Sequence, residues 1–77
     1  MELRNLGSNQ AQISFGGTVV LFSYNTPVAC SIVGKGWYRT DKRWSVTTSK
    51  HINRWLDGVK AEEKPQEFFD NLAAKGK

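Results

Sequence analysis

The sequence contains few cysteine, histidine and proline residues. Its 77 residues include one cysteine, one histidine and two prolines. A single thiol, Cys30, cannot form an internal disulfide, which argues against the disulfide-rich small secreted domains. No apolar stretch approaches the roughly 20 residues that a membrane helix needs. The first residues lack the basic start and apolar run of a signal peptide. We therefore expect a cytoplasmic protein without a membrane partner.

Groups for catalysis and metal binding are equally scarce. One imidazole, His51, does not make a zinc site without further strong ligands. A nucleophile pair of Cys30 with His51 is disfavoured, because Cys30 falls in an apolar strand where free thiols are usually inert. The segment 34–36 is too short for the phosphate-binding loop of nucleotide hydrolases. The sequence predicts no enzyme, no cofactor and no metal site.

The hydrophobic content suffices for one small domain, taken as residues 1–77. Hydrophobic residues make up 39% of the chain and include three Trp, two Tyr and four Phe. This composition is too apolar for a disordered chain, and large aromatic side chains bury much area per residue. The core of so short a chain is thin, so a homodimer that buries more surface is left open.

Strand patterns occupy residues 11–48. Ala11, Ile13 and Phe15 alternate with polar residues, which is the period of a half-buried strand. A Gly-Gly pair follows as a hairpin turn, and residues 5–9 are predicted to form an earlier turn. The predicted strands are 11–15, 18–24, 28–33, 37–40 and, as a fifth left open, 44–46.

Two helices are predicted after the strands. Four apolar residues that begin at Ile52 recur at i, i+3, i+4 and i+7, which predicts a helix at about 49–58. Residues 60–64 are expected to be a polar linker, and Pro65 fits the first turn of a helix at about 65–74. The predicted fold class is α+β, with a small antiparallel sheet of four to five strands followed by two C-terminal helices.

Positive charge is concentrated in one part of the chain. The net charge is +4, yet residues 1–34 sum to zero and residues 55–77 sum to −1. Residues 35–54 carry six cations against one aspartate, which gives +5. Such asymmetry indicates an anionic partner.

The start of the first helix is a predicted anion site. If the helix follows Thr47, Thr48 and Ser49, then Lys50 lies in its opening turn, where the helix dipole disfavours a cation. Arg54 is four residues from Lys50 and adds a repulsive pair. A bound phosphate or carboxylate would remove this conflict, because free amides, three hydroxyls and the Lys50 ammonium would surround it. The alternative is a solvated basic face with ordinary caps.

Aromatic and basic residues are interleaved between Trp37 and Trp44. Aromatic faces stack on unpaired bases while neighbouring cations follow phosphates. The alternative is that most of these rings belong to the core and that Arg and Lys stems cover them. The predicted nucleic-acid-binding set is Lys35, Trp37, Tyr38, Arg39, Lys42, Arg43, Lys50 and Arg54.

Four segments together resemble small uncharacterised proteins encoded by bacteriophages, plasmids and environmental viral sequences. They read LRNLGSN (3–9), FSYNTPVA (22–29), YRT (38–40) and WSVTTSKHIN (44–53). The resemblance covers most of the chain. It implies a mobile genetic element expressed in the cytoplasm of a bacterial host, and it implies no biochemical activity and no catalytic residues.

The sequence favours a small basic accessory protein of a phage or mobile element that binds DNA or RNA. Binding would follow the phosphate backbone with little sequence specificity. The alternative is a protein-interaction module that docks on a host or phage protein, for example a defence-system inhibitor, with Trp and Arg as anchors. A purely structural or oligomeric role is a third reading.

Overall fold

A computed structural model describes residues 2–7 and 9–75 of the chain. Over these residues the fold is α+β, as predicted, with a mixed sheet of six strands instead of four or five. Ser8, within the predicted turn at 5–9, lies outside the described residues. The elements are β1 (Glu2–Gly7), β2 (Gln10–Phe15), β3 (Thr18–Ser23), β4 (Thr26–Ile32), β5 (Gly36–Thr40), α1 (Val46–Leu56), β6 (Glu62–Lys64) and α2 (Gln66–Lys75).

The sheet keeps the order of the chain, from β1 at one edge to β6 at the other. Neighbours from β1 to β5 are antiparallel, whereas β6 pairs with β5 in parallel. A parallel pair needs a crossover connection, and α1 supplies it. Gly16 and Gly17 turn β2 into β3 with φ angles of 50° and 81°, which favour glycine.

The two helices cover opposite faces of the sheet. Val20 and Leu21 are neighbours in β3 and therefore point to opposite sides. Leu21 belongs to a cluster with Ile52 of α1, and Val20 belongs to a cluster with Phe69 of α2. The molecule is thus three layers, and β5 has a side that faces α1 and a side that faces α2.

Helix α1 begins three residues before the predicted start. Ser45 is the N-cap, and its Oγ accepts a hydrogen bond from the Thr48 amide at 3.1 Å. Asp57 ends the helix in the left-handed conformation. Lys50 therefore lies in the second turn and Arg54 in the last turn, where a cation is favourable. The predicted conflict with the helix dipole is largely removed.

Three strand assignments differ from the sequence prediction. Residues 2–7 form β1, although a turn was expected at 5–9, and the expected linker at 60–64 contains β6. Trp44 lies in an irregular segment and Val46 opens α1, so no strand forms at 44–46. The strands that the sequence analysis missed, β1 and β6, lie at the two edges of the sheet and pair with one neighbour each. Neither sequence shows the apolar alternation by which a strand is recognised.

Candidate functional site

A cleft of about 290 Å³ opens where β5 ends and α1 begins. The end of β5, the segment after it, the cleft-facing side of α1 and one residue of β6 form its walls. We call it the β5–α1 cleft. Its lining residues are Arg39, Thr40, Asp41, Lys42, Arg43, Trp44, Thr48, Ser49, Ile52, Asn53 and Glu63.

The cleft gathers three of the six predicted cations. Arg39, Lys42 and Arg43 line it together with two carboxylates, Asp41 and Glu63. Within residues 3–7 and 9–74 the one salt bridge joins two residues of β6. No carboxylate of that part of the chain is therefore in ion-pair contact with a cleft cation, and the charges of the cleft remain available to a ligand.

Arg39 is held against α1. It alternates with Tyr38 along β5 and lies on the face that α1 covers, where its Nη1 donates to Asn53 Oδ1 at 3.2 Å. Its Nε is buried and has no hydrogen-bond partner among the described residues. The guanidinium is thus oriented by one contact and keeps an unused donor.

Trp44 is fixed in place although it lies in an irregular segment. Its side chain is 40% exposed, and its Nε1 donates to Gln66 Oε1 at 3.2 Å. The Lys42 ammonium lies 4.2 Å from the centroid of the indole ring, in a cation–π arrangement. The cleft therefore presents an oriented aromatic ring with a cation over one of its faces.

Gln66 holds Trp44 through a network that the sequence did not reveal. Its Oε1 also accepts from Thr40 Oγ1 at 2.8 Å, and its Nε2 donates to the Pro27 carbonyl at 2.7 Å and to Asp70 Oδ1 at 3.1 Å. Both ends of the amide are thus occupied, which fixes its orientation. A lone glutamine at the start of a helix belongs to no motif, so no sequence signal marked it.

The predicted anion-binding residues have different environments. Thr48 is 4% exposed, and its hydroxyl is hydrogen-bonded to Ser23 Oγ at 3.0 Å. Ser49 is exposed and lines the β5–α1 cleft. Thr47 and Lys50 are exposed but are not part of its lining. Of the four, Ser49 is the one whose hydroxyl can meet a ligand in the cleft.

Thr48 belongs to a chain of hydroxyl groups that ends at His51. Ser45 Oγ donates to Thr48 Oγ1 at 3.3 Å, and the Thr48 and Ser23 hydroxyls share a hydrogen bond of 3.0 Å. Ser23 Oγ is also hydrogen-bonded to His51 Nδ1 at 2.8 Å. Ser23 is 2% exposed. The Ser23–His51 pair is therefore an internal contact between β3 and α1, closed to a substrate.

Cys30 is separated from His51 by the sheet. Its side chain belongs to the core cluster beneath α2, whereas His51 bonds to Ser23 beneath α1. Burial raises the pKa of the Cys30 thiol from 9.0 to about 11. The two side chains are not arranged as a nucleophile and its base.

Lys50 and Arg54 lie on α1 outside the cleft. At about 100° per residue, Ser49 and Asn53 flank the buried stripe of α1 on the side of the cleft. Arg54 falls on the opposite flank, and Lys50 points away from the sheet. These two cations form an exposed helix face that is separate from the three in the cleft.

Lys35, Trp37 and Tyr38 line a different groove at the start of β5. Trp37 packs edge-on against Trp55 beneath α1, with ring centroids 5.4 Å apart. Tyr38 packs against Phe68 of α2 on the other face, at 5.6 Å. Because the rings of Trp37 and Tyr38 lie on opposite faces of β5, one ligand strand in the β5–α1 cleft would not contact both of them. Trp37 is 38% exposed and Tyr38 is half-buried.

Residues 2–7 and 9–75 contain neither a candidate membrane span nor a candidate metal site. Over this part of the chain, no helix is long and apolar enough to cross a membrane. No group of three or more His, Cys, Asp or Glu side chains is placed there to hold a metal ion.

Comparison with known proteins identifies a family whose function is unknown. The model of a family of unknown function, DUF8033, matches residues 1–71, and the chain therefore belongs to that family. No curated protein and no solved structure matches the chain.

Proposed function

For this member of a family of unknown function, we propose a small accessory protein that binds DNA or RNA along the phosphate backbone. The β5–α1 cleft is the proposed contact surface. The observation that carries the proposal is that Arg39, Lys42 and Arg43 line one cleft, with no salt bridge to a carboxylate of residues 3–7 and 9–74. Lysine and arginine that neutralise phosphates supply most of the affinity in non-specific binding.

Two details of the cleft support phosphate as the ligand group. Arg39 lines the cleft and its guanidinium is held by one hydrogen bond to Asn53 Oδ1, which leaves further N–H groups for an oxyanion. The first turn of α1 carries no acidic residue, so its positive dipole end is not offset by a side chain of that turn. Ser49, exposed at the same wall, adds a hydroxyl donor.

Low sequence specificity follows from what α1 presents. The helix face with Thr48, Ile52 and Leu56 is buried in the core. It therefore cannot enter a groove of DNA or RNA in the way that a recognition helix does. Contacts to phosphates position a protein on nucleic acid but carry no direct sequence information. We propose binding without catalysis for the same surface.

The affinity should depend on salt to a degree set by three phosphate contacts. With a slope of about −0.9 per contact for duplex DNA and about −0.7 for a single strand, raising the salt from about 50 to 200 mM weakens binding about 40-fold and about 20-fold, respectively. Asp41 and Glu63 in the same lining argue against a larger number of contacts.

The test compares two charge reversals of equal size. Lys42→Glu with Arg43→Glu alters the cleft, and Lys50→Glu with Arg54→Glu alters the exposed helix face. Fluorescence anisotropy with labelled single-stranded and duplex DNA and RNA should show lost binding for the first pair and near-normal binding for the second. Circular dichroism confirms that both variants fold.

Other outcomes of this test count against the proposal. Equal weakening by both pairs would mean that net charge alone attracts the polymer, so the cleft would not be the site. Normal binding by the cleft variant, or no binding by the unmodified protein, would contradict the proposed function itself.

Exposed apolar residues in and next to the cleft favour a second candidate function, docking on a host or phage protein such as a defence complex. Trp44 is 40% exposed and Val46 is 74% exposed, and Trp with Arg is typical of interface hot spots. A pull-down after nuclease treatment that recovers one host protein with the unmodified chain, and loses it with Trp44→Ala, would support docking over nucleic-acid binding.

The proposed setting is a phage or other mobile element in the cytoplasm of a bacterial host. The segments 22–29 and 44–53, which resemble small phage and plasmid proteins, support this setting. The second of these segments contains Trp44 and the start of α1, so the resemblance includes part of the cleft.

A further inference from the structure

We infer that the ligand of the β5–α1 cleft is a single-stranded nucleic acid and that Trp44 stacks on one of its bases. The inference rests on the proposed function and names the form of the polymer. It also replaces the stacking residues expected from the sequence, Trp37 or Tyr38, with a residue that the structure places among the cleft cations.

Trp44 differs from the other two tryptophans in its surroundings. Trp55 packs against the α1 core cluster and donates through its Nε1 to Gln12 Oε1 at 3.0 Å. Trp37 packs on the ring of Trp55. Among the described residues, neither core cluster includes Trp44. Its large ring is therefore not accounted for by packing of the core.

The indole of Trp44 is nevertheless oriented. Gln66 fixes the ring edge through Nε1, and three further hydrogen bonds fix Gln66 itself. A ring that is held before the ligand arrives loses little conformational freedom on binding. This combination of exposure and restraint is what a stacking platform requires.

Cations surround Trp44 in the cleft. The Lys42 ammonium lies over one face of the ring, 4.2 Å from its centroid, so a base would stack on the other face or take the place of this flexible side chain, and Arg39 and Arg43 line the same cleft. Ring and cations together match the pairing of base stacking with phosphate contacts in single-strand binding. In a duplex the bases are already stacked and paired, so only an unpaired base offers its face to the indole.

The size of the cleft agrees with one nucleotide unit. Its volume of about 290 Å³ is at the lower limit of pockets that hold a single small molecule, which begin at roughly 300 Å³. A length of duplex would contact only the rim. The rim contacts would involve the cations and leave Trp44 without a partner.

The test uses Trp44→Ala, Trp44→Phe and, as a matched control, Trp37→Ala, because the two tryptophans are 40% and 38% exposed. Binding to a labelled oligothymidine and to a hairpin duplex is measured by anisotropy. Trp44→Ala should weaken single-strand binding at least about fivefold and change duplex binding less than about twofold. Trp44→Phe keeps a ring and should retain most of the affinity, and Trp37→Ala should bind as the unmodified protein does.

Four results would overturn the inference. Equal weakening for both polymers would show that Trp44 only shapes the loop that carries Lys42 and Arg43. Loss of affinity in Trp44→Phe as large as in Trp44→Ala would show that the hydrogen bond to Gln66 matters and stacking does not. If Trp44→Ala binds the single strand normally while the cleft charge reversal does not bind it, then Trp44 does not stack on a base. The proposed function would still hold in that case. If the unmodified protein binds neither polymer, the stacking inference and the proposed function are both wrong.

Discussion

The buried contact between Thr48 and Ser23 joins α1 to β3, and its removal should cost a measurable share of the stability. A 77-residue domain is stabilised by roughly 4–12 kcal/mol. Thr48→Val removes the hydroxyl that bonds to Ser23 Oγ at 3.0 Å, and Ser23→Ala leaves the Thr48 hydroxyl buried without this partner. Each change should lower the free energy of unfolding by about 1–2 kcal/mol, or the melting temperature by roughly 4–16 °C.

The double variant distinguishes a real contact from two separate defects. The two single losses each include the Thr48–Ser23 contact, whereas the double variant loses that contact only once, so the combined loss should be smaller than the sum of the single losses by about 0.5 kcal/mol or more. Urea unfolding of the four proteins gives these values. Thr47→Val is the matched control, since the Thr47 side chain is exposed on the same helix, and it should change the stability by less than about 0.5 kcal/mol. Single losses that add within about 0.3 kcal/mol would refute the hydroxyl chain.

Three further predictions concern the amide network, the thiol and the free edge of the sheet. Gln66→Ala removes the acceptor of Thr40 and Trp44 and should destabilise the protein by about 1–3 kcal/mol in urea unfolding; stability within about 0.5 kcal/mol of the unmodified protein would contradict the network. The raised pKa of Cys30 means that the unfolded chain loses its thiol proton first, so stability is full below pH 9.0 and falls by at most about 2.7 kcal/mol by pH 11; Cys30→Ala should lack this part of the pH dependence, and equal pH profiles would count against it. If the chain forms a homodimer, the six-residue edge strand β1 is the expected interface. Leu3→Lys should then give a monomer in light scattering. A dimer that persists in this variant would place the interface elsewhere.

The sequence predicted the elements whose side chains fill the core. The spacing from Ile52 indicated α1, and the apolar run at 18–24 indicated the central strand that the structure has as β3. The start of α1 was missed because several hydroxyl residues in a row are acceptable caps. With Ser45 as the N-cap, Thr48 lies in the first turn of α1 and contacts Ser23. These two residues are 25 positions apart in the sequence. Local pattern does not contain that information.

The candidate site was predicted as a charged segment but not as a surface. A run of six cations within residues 35–54 was evident, yet strand alternation sends Trp37 and Tyr38 to opposite faces of β5. Helix periodicity likewise separates Ser49, in the cleft, from Arg54 on the opposite flank. The hydrogen bond between Trp44 and Gln66 spans 22 residues and carries no periodic signal. These contacts depend on how the helices pack on the sheet.

An NMR titration of the isotope-labelled protein with an unlabelled oligothymidine tests most directly whether the β5–α1 cleft binds nucleic acid. The prediction is that the amide signals of residues 39–44 and 46–49 shift together with the indole Nε1 signal of Trp44, while the indole signals of Trp37 and Trp55 stay in place. Shifts confined to Lys35 and Trp37, shifts confined to the Lys50 and Arg54 face of α1, or no shifts at all would contradict it.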